Sequence, residues 1–355
     1  MNDATLAVVS QSGESLSFFD VLSGTRTGHL TGLISEPHEL CFDARTNLLY
    51  VSHAYEHGWY RQHGSDCHEV SVVDCNQKQV VEVIDISPAK GPHYLVLDQK
   101  REILYVSVEG GLSDTNESGG IIGICLKTRK VIKSIGSGWA THWFVMTPDG
   151  TKAYTCNKEA DFVSVIDLLE EKMVAKISLP GGCEQPAISK SGKLAYFPTP
   201  TVPFGDSKQP NEPSIQIIDT VSDKVVKSIA LDALALTIHV DSQDRLLVGQ
   251  YRISKSTSSD SQTFGKVAPL NGTLAVFTSK DEGYQQIASL EVGKVPLTIL
   301  SSPDGKRAFV SNISSGTVTV VNLISMTVER NLEIDTVPRR DKKLHQGAHG
   351  LALIP

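Results

Sequence analysis

A chain of 355 residues, 40% hydrophobic and 21% charged, with no apolar run near the roughly 18 residues a spanning helix needs, reads as a globular protein with no membrane partner. Its 40 Asp and Glu outnumber its 33 Lys and Arg, and the formal net charge of −7 speaks against a nucleic-acid partner, because phosphate binding rests on clustered basic side chains.

The first segments, Ala4 to Ser10, Ser15 to Asp20 and Arg26 to Leu30, read as three strands with no strand before them. From Pro37 a line of sequence begins that then recurs: an apolar strand, a turn, a second strand ending in Tyr-Val-Ser or its equivalent, and two further short strands. The first copy runs from Pro37 to Ser52 and continues with Val70 to Asp74 and Val80 to Ile84. Later copies begin at Pro92, Thr141, Cys183, Ala235 and Pro296, and a last one, Ala348 to Ile354, is cut short by the end of the chain. Turns carry Pro-Asp-Gly, Ser-Gly-Lys and Leu-Ser-Gly, the strands alternate and are rich in Val and Ile, and helical periodicity is nearly absent.

Four short strands in each unit of roughly 40 to 60 residues specify a propeller blade. The expected fold is therefore all-β: a single seven-bladed β-propeller of four-stranded blades, with blades near 37–86, 92–135, 141–179, 183–231, 235–292 and 296–334. The seventh combines 346–355 with 4–32, the C-terminal strand joining three N-terminal ones, which hides the edges an open ring would expose. Tyr50-Val51-Ser52-His53, Tyr154-Thr155-Cys156-Asn157 and Phe309-Val310-Ser311-Asn312 carry a resemblance to the YVTN-repeat branch of seven-bladed propellers, and it covers nearly the whole chain. What the resemblance implies is a fold, because propellers of this type serve as enzymes, electron-transfer proteins and binding scaffolds.

Aligning the units places one residue per blade at the start of the innermost strand, beside the central channel: His38, His93, His142, Glu184, Leu236, Leu297 and His349. In a closed ring the polar members form one arc and the two leucines an apolar wall. His38, His93, His142, Glu184 and His349 are the candidate catalytic residues and the candidate ligands of a divalent transition metal such as Zn, Cu or Fe, since imidazole and carboxylate suit these ions. Without a metal the same set can act as general acid and base, and a third reading makes Pro-His only a structural consensus of the repeat. The end of each second strand is expected to open on the same face, which adds His53 and Asn157 to the candidate substrate-binding residues together with Trp143, Tyr251, Arg252, Leu236 and Leu297. Trp143, flanking His142 with Trp139, reads either as core packing or as a stacking platform. Long connections at 54–69, 109–119, 200–213 and 252–271 gather on that face, and the one around His53 to His68 is rich in His and aromatics.

The function this pattern favours is an enzyme acting on a small organic metabolite, of lactone, polyketide or terpenoid type, by hydrolysis, elimination or cyclisation in the funnel. A copper or other metal redox propeller and a non-catalytic protein-binding propeller are the alternatives. Neither a nucleophile elbow, a phosphate loop nor a dinucleotide fingerprint occurs, so no nucleotide cofactor is expected. Cys41, Cys67, Cys75, Cys125, Cys156 and Cys183 lie far apart and read as reduced core residues. With no secretory signal visible at Met1 to Thr5, the expectation is a cytoplasmic monomer that takes a small-molecule substrate.

Overall fold

The computed structural model describes residues 4–56, 64–112, 119–138, 140–157, 160–179, 183–199, 212–255, 267–281, 283–337 and 345–355. The connection 57–63, Trp139 and the basic run 339–343 lie outside them. Within them the chain forms seven four-stranded antiparallel sheets, each a blade in chain order from the axis outward, and the seventh takes its inner strand Leu351–Ile354 from the far end of the chain. Among the described residues no helix is long and apolar enough to cross a membrane.

Each blade shows a burial gradient that its sequence already encodes. Second and third strands such as Leu48–His53 and Glu69–Asp74 are covered on both faces by neighbouring blades, so they read as continuous runs of Val, Leu and Tyr. Fourth strands face solvent and leave Val81, Ile132, Val174 and Val226 exposed. In four blades the turn between third and fourth strands is set by one side chain. Asp74 accepts the backbone N–H groups of Asn76 and Gln77, and Asp167, Asp219 and Asn322 do the same in their blades.

Two features bring the inner strands to the axis in a defined pose. Opposite the two-residue step from His53 back to Val51, the inner strand of blade 1 takes three residues, Pro37 to Leu40, and the same extra residue occurs after Pro92, Thr141 and Pro296. Such a bulge bends a strand and re-aims its side chains. The Ser52 hydroxyl also donates to the His93 carbonyl at 2.6 Å, and Ser107 donates likewise to His142, so blades 1 and 2 each hold the histidine of the next.

Leu351–Ile354 pairs with Thr5–Ser10 in the register Val8↔Leu351 to Thr5↔Ile354. Leu6 and Val8 pack on Phe309, Val318 and Val320 of blade 6 in one core cluster, and the Ser10 hydroxyl donates to Asp335 at 2.9 Å. The two ends of the chain thus complete one blade and lock it to its neighbour. Deleting residues 346–355 exposes the edge of Thr5–Ser10 and the flank of blade 1, and is expected to give aggregation on size-exclusion chromatography and loss of a single cooperative calorimetric transition. A soluble truncated monomer with an unchanged melting temperature would contradict this role of the closing strand.

Candidate functional site

The residues re-aimed by the inner-strand bulges meet at the axis. The ring of His349 lies 4.0 Å from that of His38, His38 lies 4.3 Å from His93, and His93 lies 4.2 Å from His142, centroid to centroid. Four imidazoles from four blades therefore form one continuous chain, all of them buried. Adjacent to it, Leu236 and Leu297 pack with Tyr251, Val295 and Ile313 in an apolar cluster, the wall expected from their place in the repeat. Glu184 is buried in the inner slot of blade 4, close enough for its charge to act on Glu39 and Tyr251.

A carboxylate absent from the sequence-based set completes the polar arc. Glu109 Oε1 sits 2.7 Å from His93 Nε2 and 3.1 Å from His142 Nε2. The Tyr55 hydroxyl donates to the same oxygen at 2.7 Å and lies 3.1 Å from His93 Nε2. Among the described residues, His93, Glu109 and His142 form the group able to hold a metal ion, their donor atoms lying within 4.8 Å of one another. His38, His349 and Glu184, counted from the sequence as further ligands of one ion, fall outside that group. His349 pairs instead with a second carboxylate, Nδ1 to Glu39 Oε1 at 2.9 Å. Burial pushes the Glu39 carboxyl well above the usual carboxylate range, against the pull of His93 and with a further push from Glu184.

Strand register explains why Glu109 was missed and why two of the expected substrate contacts lie elsewhere. Side chains alternate along a strand, so only every second position can face the funnel. The end-of-strand residue His53 faces the third strand of its own blade: its Nε2 is 2.8 Å from Ser71 Oγ. Asn157 Nδ2 donates to Ser164 Oγ at 2.9 Å and Asn312 Nδ2 to Thr319 Oγ1 at 2.9 Å, which is the same brace in blades 3 and 6. His53 and Asn157 are thus corrected from funnel contacts to blade braces. The following residue is the one that reaches the axis, and in blade 2, where Pro92 pairs with Val108, that residue is Glu109. In blade 5 Ala235 pairs with Gln250, so Gln250 takes the brace position and Tyr251, one residue further on, reaches the apolar wall.

Trp143 is buried and stacks on Tyr94 at 4.1 Å, which places it in the core and not against the funnel. Arg252 also leaves the expected site: its Nε donates to the Asn271 carbonyl and its guanidinium reaches Glu291 from a largely exposed position. Of the His- and aromatic-rich connection after His53, Tyr55 enters the site, and His57, Trp59, Tyr60 and His63 lie outside the described residues.

Burial pushes the His53 imidazole down to about 4. The unfolded chain then binds the proton first, so stability falls as pH drops from about 6.5 toward 4. Replacing His53 by Asn, the residue that makes the same brace in blades 3 and 6, should remove that loss. Between pH 7 and 4.5 the wild type is expected to lose about 2 kcal/mol more unfolding free energy than His53→Asn in denaturant titrations.

No protein-family model matches the chain. The Uncharacterized protein YncE of Salmonella typhi is 24% identical over 254 residues, which are 68% of this chain and 63% of that protein, so the chain spans less than two thirds of the length of this curated relative. Among solved structures, a proposed 6-phosphogluconolactonase from Bacteroides uniformis is similar with a TM-score of 0.71 at 11% identity, covering 100% of both chains. A second proposed 6-phosphogluconolactonase, from Bacteroides fragilis, has a TM-score of 0.68 at 13% identity over 100% of this chain and 98% of the other. The hydrazine synthase of Kuenenia stuttgartiensis has 0.63 at 16%, over 84% of this chain and 79% of that one. At these identities the likeness to solved structures shows the propeller fold alone.

Proposed function

We propose that the protein is a YVTN-type propeller hydrolase that opens the ring of a small, uncharged lactone in its central funnel, with His93, His142 and Glu109 holding a divalent transition metal. The observation that carries this reading is the meeting of two imidazole nitrogens and one carboxylate oxygen at separations of 2.7 and 3.1 Å in a buried place at the axis. Ligands about 2.0–2.1 Å from a tetrahedral zinc stand roughly 3.3–3.4 Å apart, so the two Glu109 contacts would need to lengthen by about 0.2 to 0.7 Å, and all three donors already lie within 4.8 Å of one another. Two histidines and a carboxylate also leave a coordination position free for water or substrate, as catalytic sites require. A metal held there would supply a Lewis acid for the lactone carbonyl and a water that is nucleophilic near neutral pH.

The remaining residues fit around that centre. Tyr55 orients Glu109 through its 2.7 Å hydrogen bond, fixing which carboxylate oxygen faces the imidazoles. The wall of Leu236, Leu297 and Tyr251 receives the hydrocarbon side of the substrate and keeps water from it. None of the arc residues named above is a Lys or Arg, which favours an uncharged lactone over a phosphorylated one. The reaction class itself is drawn from the two Bacteroides proteins named as lactonases and from the donor set, which suits hydrolysis. The short His93–Glu109 contact favours one second reading, a metal-free imidazole–carboxylate pair acting as general acid and base on the same substrates.

Elemental analysis of the purified protein, together with lactone hydrolysis by His93→Ala, His142→Ala and Glu109→Gln, tests both. The expected outcome is a bound transition metal lost in all three variants, with turnover falling at least about 100-fold while far-ultraviolet dichroism is kept. Full turnover after exhaustive chelation would transfer the reaction to the acid–base pair. Absence of turnover on a panel of lactones by the metal-loaded wild type would overturn the hydrolase reading.

A further inference from the structure

Gln11 is fully buried, and among the described residues neither its amide nitrogen nor its amide oxygen has a hydrogen-bond partner. A buried carboxamide in that state is destabilising, because the water it gave up has not been replaced. Its place in the repeat says where it points. In blade 7 Val8 pairs with Leu351, as Val51 pairs with Leu40 in blade 1, so Ser10 takes the brace position and Gln11 the position that follows it.

Where the contacts of that following position are resolved, it reaches inner-slot residues beside the channel. Glu109 of blade 2 touches His93 of its own blade and His142 of the next. Tyr251 of blade 5 packs with Leu236 and Leu297, and Ile313 of blade 6 packs in the same cluster. In blade 1 the position is Ala54, and the next residue, Tyr55, fills the gap, its ring 5.9 Å from His38 and 5.6 Å from His93. By the same rule Gln11 fills the gap between His349 and His38, inside the histidine arc and one blade away from the apolar wall at Leu297 and Ile313.

We propose that Gln11 is a substrate-contacting residue whose carboxamide takes the place of water for a ligand offering both an acceptor and a donor, so that the substrate class is a hydroxylated lactone with an apolar body. The N–H group meets the lactone carbonyl or ring oxygen, the amide oxygen meets the hydroxyl, and the hydrocarbon edge lies on Leu297 and Ile313. This rests on the hydrolase reading for the lactone ring, while the unsatisfied carboxamide stands apart from it. A site built to hydrogen-bond a hydroxyl discriminates strongly against the analogue lacking it, because its own polar groups are then left unpaired.

The test is Gln11→Met, which keeps the length of the side chain and removes its polar atoms, assayed with two six-carbon lactones: mevalonolactone, which carries a ring carbonyl and a hydroxyl, and δ-hexalactone, which lacks the hydroxyl. The wild type is expected to favour mevalonolactone in kcat/KM by about 10-fold or more. Gln11→Met is expected to erase that preference, chiefly through a raised KM, with metal content unchanged. Its ligand-free melting temperature is expected to rise by about 2 °C or more, since an unsatisfied buried amide has gone. An unchanged preference overturns the assignment, and so does a lowered melting temperature, which would make Gln11 part of the fold. If the metal-loaded wild type hydrolyses neither lactone, the hydrolase reading falls and the melting temperature alone decides for or against Gln11.

Discussion

Ring closure is the constraint on which the rest of this structure depends. Seven sheets can surround an axis only if the last finds a partner for its open edge, and here that partner is the pairing of Leu351–Ile354 with Thr5–Ser10. The consequence is chemical as well as mechanical. His349 and His38 are separated by most of the chain, and closure sets their rings 4.0 Å apart. Without it the histidine arc would end at His38, and Glu39 would lose the imidazole that faces it at 2.9 Å.

Around the axis the fold concentrates polar groups in a place that penalises them. Four imidazoles and the carboxylates of Glu39, Glu109 and Glu184 are all buried or nearly so. A packed apolar axis would be easier to fold, and Leu236 and Leu297 show that the same slot accepts leucine. Groups retained against their own desolvation are characteristic of functional sites, where stability is given up for chemistry. The bulges of the inner strands serve the same end, since they turn a buried position into one that faces the channel.

The repeat separates scaffold from site at single-residue resolution. In three blades the bracing position carries a hydrogen-bonding residue, His53 to Ser71, Asn157 to Ser164 and Asn312 to Thr319, and in blade 2 it carries the apolar Val108. Serines such as Ser52 and Ser107 recur because each ties its blade to the backbone of the next histidine. Positions one step further along vary freely between Glu109, Tyr251, Ile313, Ala54 and Gln11, which is what a scaffold permits where a ligand, and not the neighbouring strand, is the partner. Cys156, standing where blades 1 and 2 have Ser52 and Ser107, hydrogen-bonds the Cys183 thiol; burial first, and that bond second, raise its pKa well above the usual thiol range.

The sequence by itself determined the propeller, the number of blades, the closure and the residues of the inner slot. A β-repeat announces itself through the recurrence of Pro37, Pro92 and Pro296 with their Tyr-Val-Ser ends, and the inner slot follows from counting from those points. What only the tertiary structure decided was which neighbouring position faces the axis and which groups touch. Alternation makes a one-residue error a change of face, so His53 and Asn157 moved to the blade interior while Glu109, one step past Val108, joined His93 and His142. The contacts of His93 with Tyr55 and Glu109, and of His349 with Glu39, join segments whose distance apart is fixed by blade packing and by the course of a loop, and no local pattern of residues encodes that distance.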